Sequence, residues 1–334
     1  MRSIKTILTT VLLGVFLMIG CDSLTDSSTE NQMFSENEIS TAVNVDVSNY
    51  GIVKSSPQYF SDSGYAGWST PTGTVVSSGG FQFTEVTTAS TSAPGQPESV
   101  WPHYTFGSEE YGWVVQKNAD GSGSNGFIYN VHLDEPDGYE IVYSPELTFS
   151  DGGWAGWSCP AGKVVLGGGF DADGPVKASA PGTPGSEWPH YTFGPEEYGW
   201  VVQSAEPLNG KIYVICADEP DGYEIVESPE LTFSSTGWGG WSVPEEGLIL
   251  GGGFVSESPA MASAPAGPDS VWPHHTFGSE EYGWVVQTAG GGKTTIYAIG
   301  LVDDRPDFVQ YCDDYEELGY RNRGQCVRDN NPGN

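Results

Sequence analysis

Three successive copies of one pattern constrain the fold of this chain more than any other feature. The segment WPHYTFGSEEYGWVVQ (101–116) returns as WPHYTFGPEEYGWVVQ (188–203) and WPHHTFGSEEYGWVVQ (272–287). The surrounding pattern begins at residues 49, 138 and 222, which gives periods of 89 and 84 residues. Repeated units of this kind fold alike and pack through corresponding surfaces. We therefore expect residues 49–302 to be one structural unit used three times.

Each copy contains about six short strand candidates and no helical pattern. About 85 residues with six strands suit a small antiparallel sandwich. We predict an all-β fold of three tandem antiparallel β-sandwich-like repeats over 49–137, 138–221 and 222–302. The joints are only DEPDG turns, at 134–138 and 218–222. Such short joints predict tight packing of the repeats, with a pseudo-threefold arrangement as one form of it.

A glycine cluster follows a short apolar run in every copy. The clusters are TVVSSGGF (74–81), KVVLGGGF (163–170) and LILGGGF (248–254). Glycine inside a strand pattern marks a bulge or a close approach of two backbones. We expect the clusters to be such points.

The first residues have the pattern of an export signal. Arg2 and Lys5 precede an apolar run, 7–19, that is too short to span a bilayer. The run ends in Met18-Ile19-Gly20-Cys21, which resembles the lipobox of bacterial lipoproteins. The resemblance implies a signal peptide over 1–20, acylation of Cys21 with palmitate-type chains, and a membrane-anchored protein of the bacterial cell envelope that faces the periplasm or the exterior. An ordinary signal peptide with an unmodified Cys21 is the alternative.

The stretch 21–48 is rich in Ser, Thr, Asp, Glu and Asn. It has too few large apolar residues to offset the entropy of ordering. We predict a flexible tether between the lipid and the folded part.

Four cysteines remain after Cys21, and export makes disulfides plausible. Cys159 and Cys216 are both present in the second repeat and both absent from the other two. This joint presence predicts a Cys159–Cys216 bridge. Cys312 and Cys326 would then close a loop in a C-terminal tail over 303–334. Zinc is disfavoured because no C-x2-C pair occurs.

Repeat 2 resembles a β-rich module of secreted bacterial proteins. The matching residues are WSCPAGKVVLGGGF (157–170) and the closing IYVICAD (212–218), with repeats 1 and 3 as cysteine-free variants. The tail CDDYEELGYRNRGQCV (312–327) resembles a short bacterial motif that ends in GQCV. Glycine-rich motifs in triplicate are also similar to those of β-prism lectins. The module implies fold and secretion, and no activity is carried over from it.

The charge of the chain excludes one class of partner. The formal net charge is −32, and removal of Arg2 and Lys5 with the signal makes it −34. With no cluster of Lys or Arg, nucleic-acid binding is not expected. We also expect no cofactor. Calcium is the alternative at the acidic DEPDG turns, which lack a D-x-D-x-D-G loop.

The WPH segment carries the candidate ligand-binding residues. A His beside carboxylates could form an acid–base pair or join a metal site. We favour a structural corner, with the His bonded to a backbone carbonyl, because no nucleophile motif accompanies it and an enzyme has little use for three equal sites. Three copies do suit multivalent binding. The candidates are Trp101, His103, Tyr104, Glu109, Glu110, Trp188, His190, Tyr191, Glu196, Glu197, Trp272, His274, Glu280 and Glu281.

Aromatic residues beside carboxylates match carbohydrate recognition, in which ring faces contact sugar C–H groups. Trp101, Tyr104 and Trp113 are candidates for this role, although aromatic residues more commonly fill the core of a small domain. Trp68, Trp157 and Trp241 are assigned to the core. We expect a non-catalytic binding or adhesion lipoprotein that recognises a glycan or another envelope component. A structural envelope protein is the alternative, and a glycan-active enzyme is less favoured.

Overall fold

The computed structural model describes residues 49–150, 152–244 and 247–302. The predicted signal peptide, Cys21, the tether, and the tail with Cys312 and Cys326 lie outside these residues. Every regular element in the described part is a β-strand, so the all-β prediction is confirmed. None of the described segments forms a helix long and apolar enough to cross a membrane.

Each repeat contributes nine strands. Repeat 1 contains β1 (Gly51–Lys54), β2 (Gln58–Phe60), β3 (Tyr65–Ser69), β4 (Val75–Phe83), β5 (Ala89–Gly95), β6 (Val100–Trp101), β7 (Tyr104–Thr105), β8 (Gly112–Lys117) and β9 (Ser124–Leu133). Repeat 2 contains β10 (Glu140–Tyr143), β11 (Leu147–Phe149), β12 (Trp154–Ser158), β13 (Val164–Ala172), β14 (Val176–Gly182), β15 (Glu187–Trp188), β16 (Tyr191–Thr192), β17 (Gly199–Ser204) and β18 (Leu208–Ala217). Repeat 3 contains β19 (Tyr223–Glu227), β20 (Leu231–Phe233), β21 (Trp238–Ser242), β22 (Leu248–Ser256), β23 (Ala260–Ala266), β24 (Val271–Trp272), β25 (His275–Thr276), β26 (Gly283–Thr288) and β27 (Gly292–Leu301).

The strands form three seven-stranded sheets, and each sheet combines two repeats. The orders are β1-β9-β4-β23-β26-β21 with β2 on β9, β10-β18-β13-β5-β8-β3 with β11 on β18, and β12-β17-β14-β22-β27-β19 with β20 on β27. Within repeat 1, β1, β2, β4 and β9 thus belong to one sheet, and β3, β5 and β8 to the next. The exchange is cyclic, because the first sheet joins repeat 1 to repeat 3.

This topology adds to the predicted tight joining of the sandwich-like repeats, because neighbouring repeats share their sheets. A repeat that kept its strands together would expose the edges of β4 and β5, whose N–H and C=O groups would lack partners. Pairing these edges with the neighbouring repeats satisfies the groups and buries more surface than three small bodies would.

The joint between two repeats within a sheet is short. In the second sheet it consists of the pairs Phe170↔Ser92 and Asp171↔Thr91. A Cβ at Gly169 would overlap the carbonyl oxygen of Ser92, so this position of the glycine cluster permits the close approach. The predicted role of the cluster is confirmed here.

The glycine clusters also contain the predicted bulges. The pairing register shifts between Val165 and Gly167, and equivalent shifts occur in β4 and β22. The bulged residues Ser77, Leu166 and Leu250 are buried. Ser77 Oγ donates a 2.8 Å hydrogen bond to the carbonyl oxygen of Leu250, so bulges of repeats 1 and 3 are in direct contact.

One hydrophobic core contains buried residues of all three repeats. The predicted disulfide between Cys159 and Cys216 is present within it, with a Cα–Cα distance of 5.8 Å. Trp68, Trp157 and Trp241 pack against this core, as expected. The repeats are therefore held together by shared packing as well as by shared sheets.

Two tyrosines connect successive repeats. The hydroxyl of Tyr139 donates to the carbonyl oxygen of Val76 at 2.7 Å, and that of Tyr223 donates to Val165 at 2.6 Å. Their rings make edge contacts with Tyr111 and Tyr198. Burial raises the pKa of both hydroxyls well above its usual range.

Candidate functional site

The WPH motif forms the tip of a two-stranded hairpin in each repeat. In repeat 1, Trp101 pairs with Tyr104 across β6 and β7. Pro102 and His103 form the turn, and His103 has a φ of 66°. Proline at the second position and a positive φ at the third are the features of a type II turn. His190 and His274 have the same conformation, each with a φ of 67°.

The three turn histidines are exposed. The expected hydrogen bond from the imidazole to a backbone carbonyl does not occur in the described part of the chain, which corrects that detail. No ion pair joins these histidines to a carboxylate within the same residues. The histidines are therefore corner residues, and the structure does not bring them into an acid–base pair.

The two glutamates of each motif have different environments. Glu110 Oε2 accepts a 2.9 Å hydrogen bond from the backbone N–H of Gly107, which closes a tight turn. Glu197 and Glu281 bind Gly194 and Gly278 in the same way, at 2.8 Å. The preceding glutamates accept no such bond from the residues that the structure describes: Glu109, Glu196 and Glu280. The pair lies at a turn, so the second carboxylate is a structural clamp.

Tyr104 and Tyr191 are half-buried and turned toward a glycine of the preceding aromatic-glycine motif. The ring of Tyr104 lies over Gly67, where any Cβ would overlap it. Its hydroxyl lies 3.0 Å from Ser69 Oγ, and its ring makes an edge contact with Phe106. In repeat 3 this place is taken by His275, whose pKa is lowered by burial.

Trp113 is also a core residue and not a ligand candidate. Its side chain is 1% exposed, and its indole N–H donates to Ser92 Oγ at 2.8 Å. Trp200 and Trp284 have the same environment, with Ser179 and Ser263 as acceptors. Their hydrogen bonds satisfy the one polar group of each ring, as burial requires.

Trp101 lines an open cleft between the hairpin of repeat 1 and the sheet face of repeat 2. The cleft has a volume of about 420 Å³. The ring centroid of Trp101 lies 5.8 Å from that of Tyr213, and the ring centroid of Tyr213 lies 5.7 Å from that of Tyr143. We name it the Tyr213 cleft, and its lining includes Tyr65, Trp101, Tyr143, Asp171, Lys211 and Tyr213.

Two charged side chains lie in the Tyr213 cleft. Burial raises the pKa of Asp171, although a hydrogen bond from Thr91 Oγ1 (2.7 Å) and the charge of Lys211 oppose the rise. Burial and the neighbouring Asp171 raise the pKa of Tyr213. The cleft therefore offers a phenol donor and a carboxylate acceptor between aromatic faces.

An equivalent cleft of about 330 Å³ lies where repeat 3 meets repeat 1. Trp272 lies 5.8 Å from Tyr129 and 5.4 Å from Trp238, measured between ring centroids. We name it the Tyr129 cleft, and its lining includes Ile52, Lys54, Gln82, Tyr129, Ser270 and Trp272.

A third aromatic group lies where repeat 2 meets repeat 3. Trp188 lies 5.1 Å from Trp154 and 6.4 Å from Tyr297. Burial raises the pKa of Tyr297, and the adjacent Glu227 adds to the rise. We name this group the Tyr297 site. A polar cavity of about 420 Å³ borders it at Val255.

Of the candidates from the sequence, the structure therefore places Trp101, Trp188 and Trp272 in aromatic clefts or groups. The histidines and glutamates lie in turns, and Tyr104 and Tyr191 lie on the second strand of their hairpins. The sequence reasoning missed two aromatic positions. One is the Tyr of each IY pair: Tyr129, Tyr213 and Tyr297. The other precedes the GWS motif: Tyr65, Trp154 and Trp238. Both positions are aromatic in every copy, and this regularity could have identified them as site residues.

A comparison with protein-family models gives no match to the chain. No curated protein sequence matches it either. The resemblance of repeat 2 to a secreted module stays a prediction. Within the three described ranges, no group of three or more His, Cys, Asp or Glu residues is placed to hold a metal ion.

Proposed function

We propose that this protein is a membrane-anchored, extracytoplasmic lipoprotein that binds glycan without catalysis. The observation that carries the proposal is the occurrence of a Trp–Tyr aromatic group at the three corresponding inter-repeat positions. In each, a Trp from one repeat faces a Tyr from the next.

The chemistry of these clefts suits saccharides. Sugar rings present C–H groups that pack on aromatic faces, and hydroxyls that need donors and acceptors at the rim. The Tyr213 cleft supplies Tyr143, Asp171 and Lys211 for such contacts. Its open, half-polar shape fits an exposed sugar unit better than a fully enclosed small molecule.

Three sites on one body favour binding to a polymer. A weak site gains avidity when its neighbours engage the same chain or surface, without any new contact. A lipid on Cys21 and the tether would hold the three sites near the membrane and free to reach outward. This part of the proposal depends on the N-terminal sequence alone.

The carboxylate count of the Tyr213 and Tyr129 clefts supports a non-catalytic role for these two clefts. Glycosidases use two carboxyl groups on opposite sides of the scissile bond. The lining of the Tyr213 cleft contains Asp171 as its one carboxylate, and the described lining of the Tyr129 cleft contains none.

The test is a glycan array probed with the purified full-length chain, followed by titration of the best hits. Tyr143 is 54% exposed in the Tyr213 cleft, so Tyr143→Ala removes a ring face with little effect on folding. We expect weaker binding for this variant. Tyr59→Ala is the matched control, because Tyr59 is 71% exposed and lies outside the clefts.

Loss of binding in both variants to the same extent would contradict the assignment of the site. An array without any hit would overturn glycan binding and leave a structural envelope protein. The anchor is tested separately by labelled palmitate incorporation, which Cys21→Ser should abolish.

A further inference from the structure

The three aromatic sites differ in charge at one corresponding position. Lys54, Tyr143 and Glu227 each pair in register with the cleft tyrosine of their sheet, Tyr129, Tyr213 and Tyr297. The strand residue that follows the cluster phenylalanine also differs, as Gln82, Asp171 and Val255. With equivalent backbones, the Tyr129 cleft is therefore cationic, the Tyr213 cleft carries both charges, and the Tyr297 site is anionic.

Lys54 has an unusual environment for a lysine in so acidic a chain. Its Nζ lies 3.8 Å from the ring centroid of Phe127 and 5.2 Å from that of Tyr129. Lys54, like Lys177 and Lys211, forms no ion pair with any residue that the structure describes, and it is the described lysine that lies over aromatic rings. Its ammonium group thus rests on aromatic faces without a counter-ion, in a cation–π arrangement.

The rest of the Tyr129 cleft is free of negative charge. Its described lining contains no Asp or Glu, although the chain has 44 of them. The Tyr213 cleft, by contrast, contains Asp171. Burial lowers the pKa of Lys54, as desolvation of an unpaired ammonium group does. An anionic ligand group would relieve this cost.

We propose that the Tyr129 cleft binds an acidic sugar, with the uronate carboxylate paired to Lys54. Trp272 and Tyr129 provide the ring faces. Gln82 Oε1 already accepts a 2.8 Å hydrogen bond from the hydroxyl of Tyr129, which orients its amide N–H groups as donors to sugar oxygens. This inference rests on the proposed glycan-binding function and makes it specific to uronate-containing polysaccharides.

The global charge makes the prediction stringent. A net charge of −32 repels acidic ligands at long range, so a preference for them must come from a local contact. The probes are trigalacturonate and trimannuronate, each compared with its methyl ester, which keeps the sugar and removes the charge. Titration calorimetry of the full-length chain measures the four affinities.

We expect the wild-type chain to bind at least one acid about tenfold more tightly than its ester, as a charge-assisted hydrogen bond provides. Lys54→Met should abolish this preference, so that the variant binds the acid no more tightly than the ester. Lys54→Arg should retain it. Lys163→Met is the matched control, because Lys163 pairs with Glu140 and lines neither cleft, and it should leave the preference intact.

Equal binding of acid and ester by the wild type would overturn the inference, as would a preference that survives in Lys54→Met. If neither trisaccharide binds but the array contains neutral hits, the inference fails and the proposed function stands. If no glycan binds at all, both fail.

Discussion

The hydroxyl of Tyr50 donates a 2.9 Å hydrogen bond to the carbonyl oxygen of Ile249, and this bond connects the start of repeat 1 to repeat 3. It repeats the contacts of Tyr139 and Tyr223 with their preceding repeats. In this case the two partners come from the first and the third repeat. Together with the pairing of β4 to β23, it closes the cycle of repeats.

Tyr50→Phe should lower the free energy of unfolding by about 1–2 kcal/mol, because the carbonyl of Ile249 would lose its partner in a buried place. Urea unfolding followed by tryptophan fluorescence measures the change. Tyr59→Phe is the control, since its ring is mostly exposed. An equal effect of both substitutions would contradict a specific role in closure.

The same tyrosines predict instability at alkaline pH. Burial raises the pKa of Tyr50, Tyr139 and Tyr223 well above 10.0. A raised folded-state pKa contributes stability that is fully present below the unfolded value, about 10, and is lost as the pH rises above it. We expect the urea midpoint to fall steeply above about pH 10. Replacement of all three by Phe should flatten this dependence, and an unchanged slope would contradict the assignment.

Reduction of the Cys159–Cys216 bridge should destabilise the protein. The bridge spans 57 residues, and loop closure of that length corresponds to about 4 kcal/mol on the chain-entropy estimate. We expect a lower melting temperature in reducing agent and the same fall for Cys159→Ser. If reduction lowers the melting temperature of the Cys159→Ser variant as much as that of the wild type, another bridge is responsible.

The sequence was sufficient to predict the features that a comparison of the three repeats reveals. The disulfide followed from the joint presence of Cys159 and Cys216, and the bulges followed from the glycine clusters. The exchange of strands between repeats could not be predicted in this way. Alternation of residues indicates which face of β5 is buried, but it does not indicate that β5 pairs with β13 of the next repeat, which depends on backbone edges brought together by the fold.

The candidate site could be predicted only in part, because its residues come from two repeats. Trp101 and Tyr213 form one cleft but belong to different repeats, so the motif around Trp101 does not contain its partner. Trp113 looked equivalent to Trp101 in the sequence. It differs because its strand lies inside a sheet and its indole N–H meets Ser92, a contact that only the folded chain reveals.

In the glutamate pair, substitution of one residue should lower the stability and substitution of its neighbour should not. Glu110→Ala should cost about 1 kcal/mol, because the N–H of Gly107 loses its acceptor. Glu109→Ala should change stability by less than about 0.5 kcal/mol, since Glu109 is exposed and does not accept the Gly107 hydrogen bond. Glu110→Gln keeps an acceptor oxygen and should resemble the wild type. Thermal unfolding of the three variants measures this, and a larger cost for Glu109→Ala would contradict the clamp.

Substitutions of His103 distinguish a role in the turn from a role in ligand binding. Its φ of 66° is unfavourable for any residue with a Cβ and natural for glycine. His103→Gly should therefore keep or raise the free energy of unfolding by up to about 1 kcal/mol, whereas His103→Val should lower it because a β-branched residue resists this conformation. Thr105→Gly, at an exposed strand position of the same hairpin, should destabilise.

Glycan binding gives the second measurement on His103→Gly. Because the imidazole lies at the turn and does not line the Tyr213 cleft, affinity for the best array hit should stay within about twofold of the wild type. A loss of affinity without a loss of stability would show that the histidine contacts the ligand. The WPH motif would then be part of the binding site as well as the corner that positions Trp101.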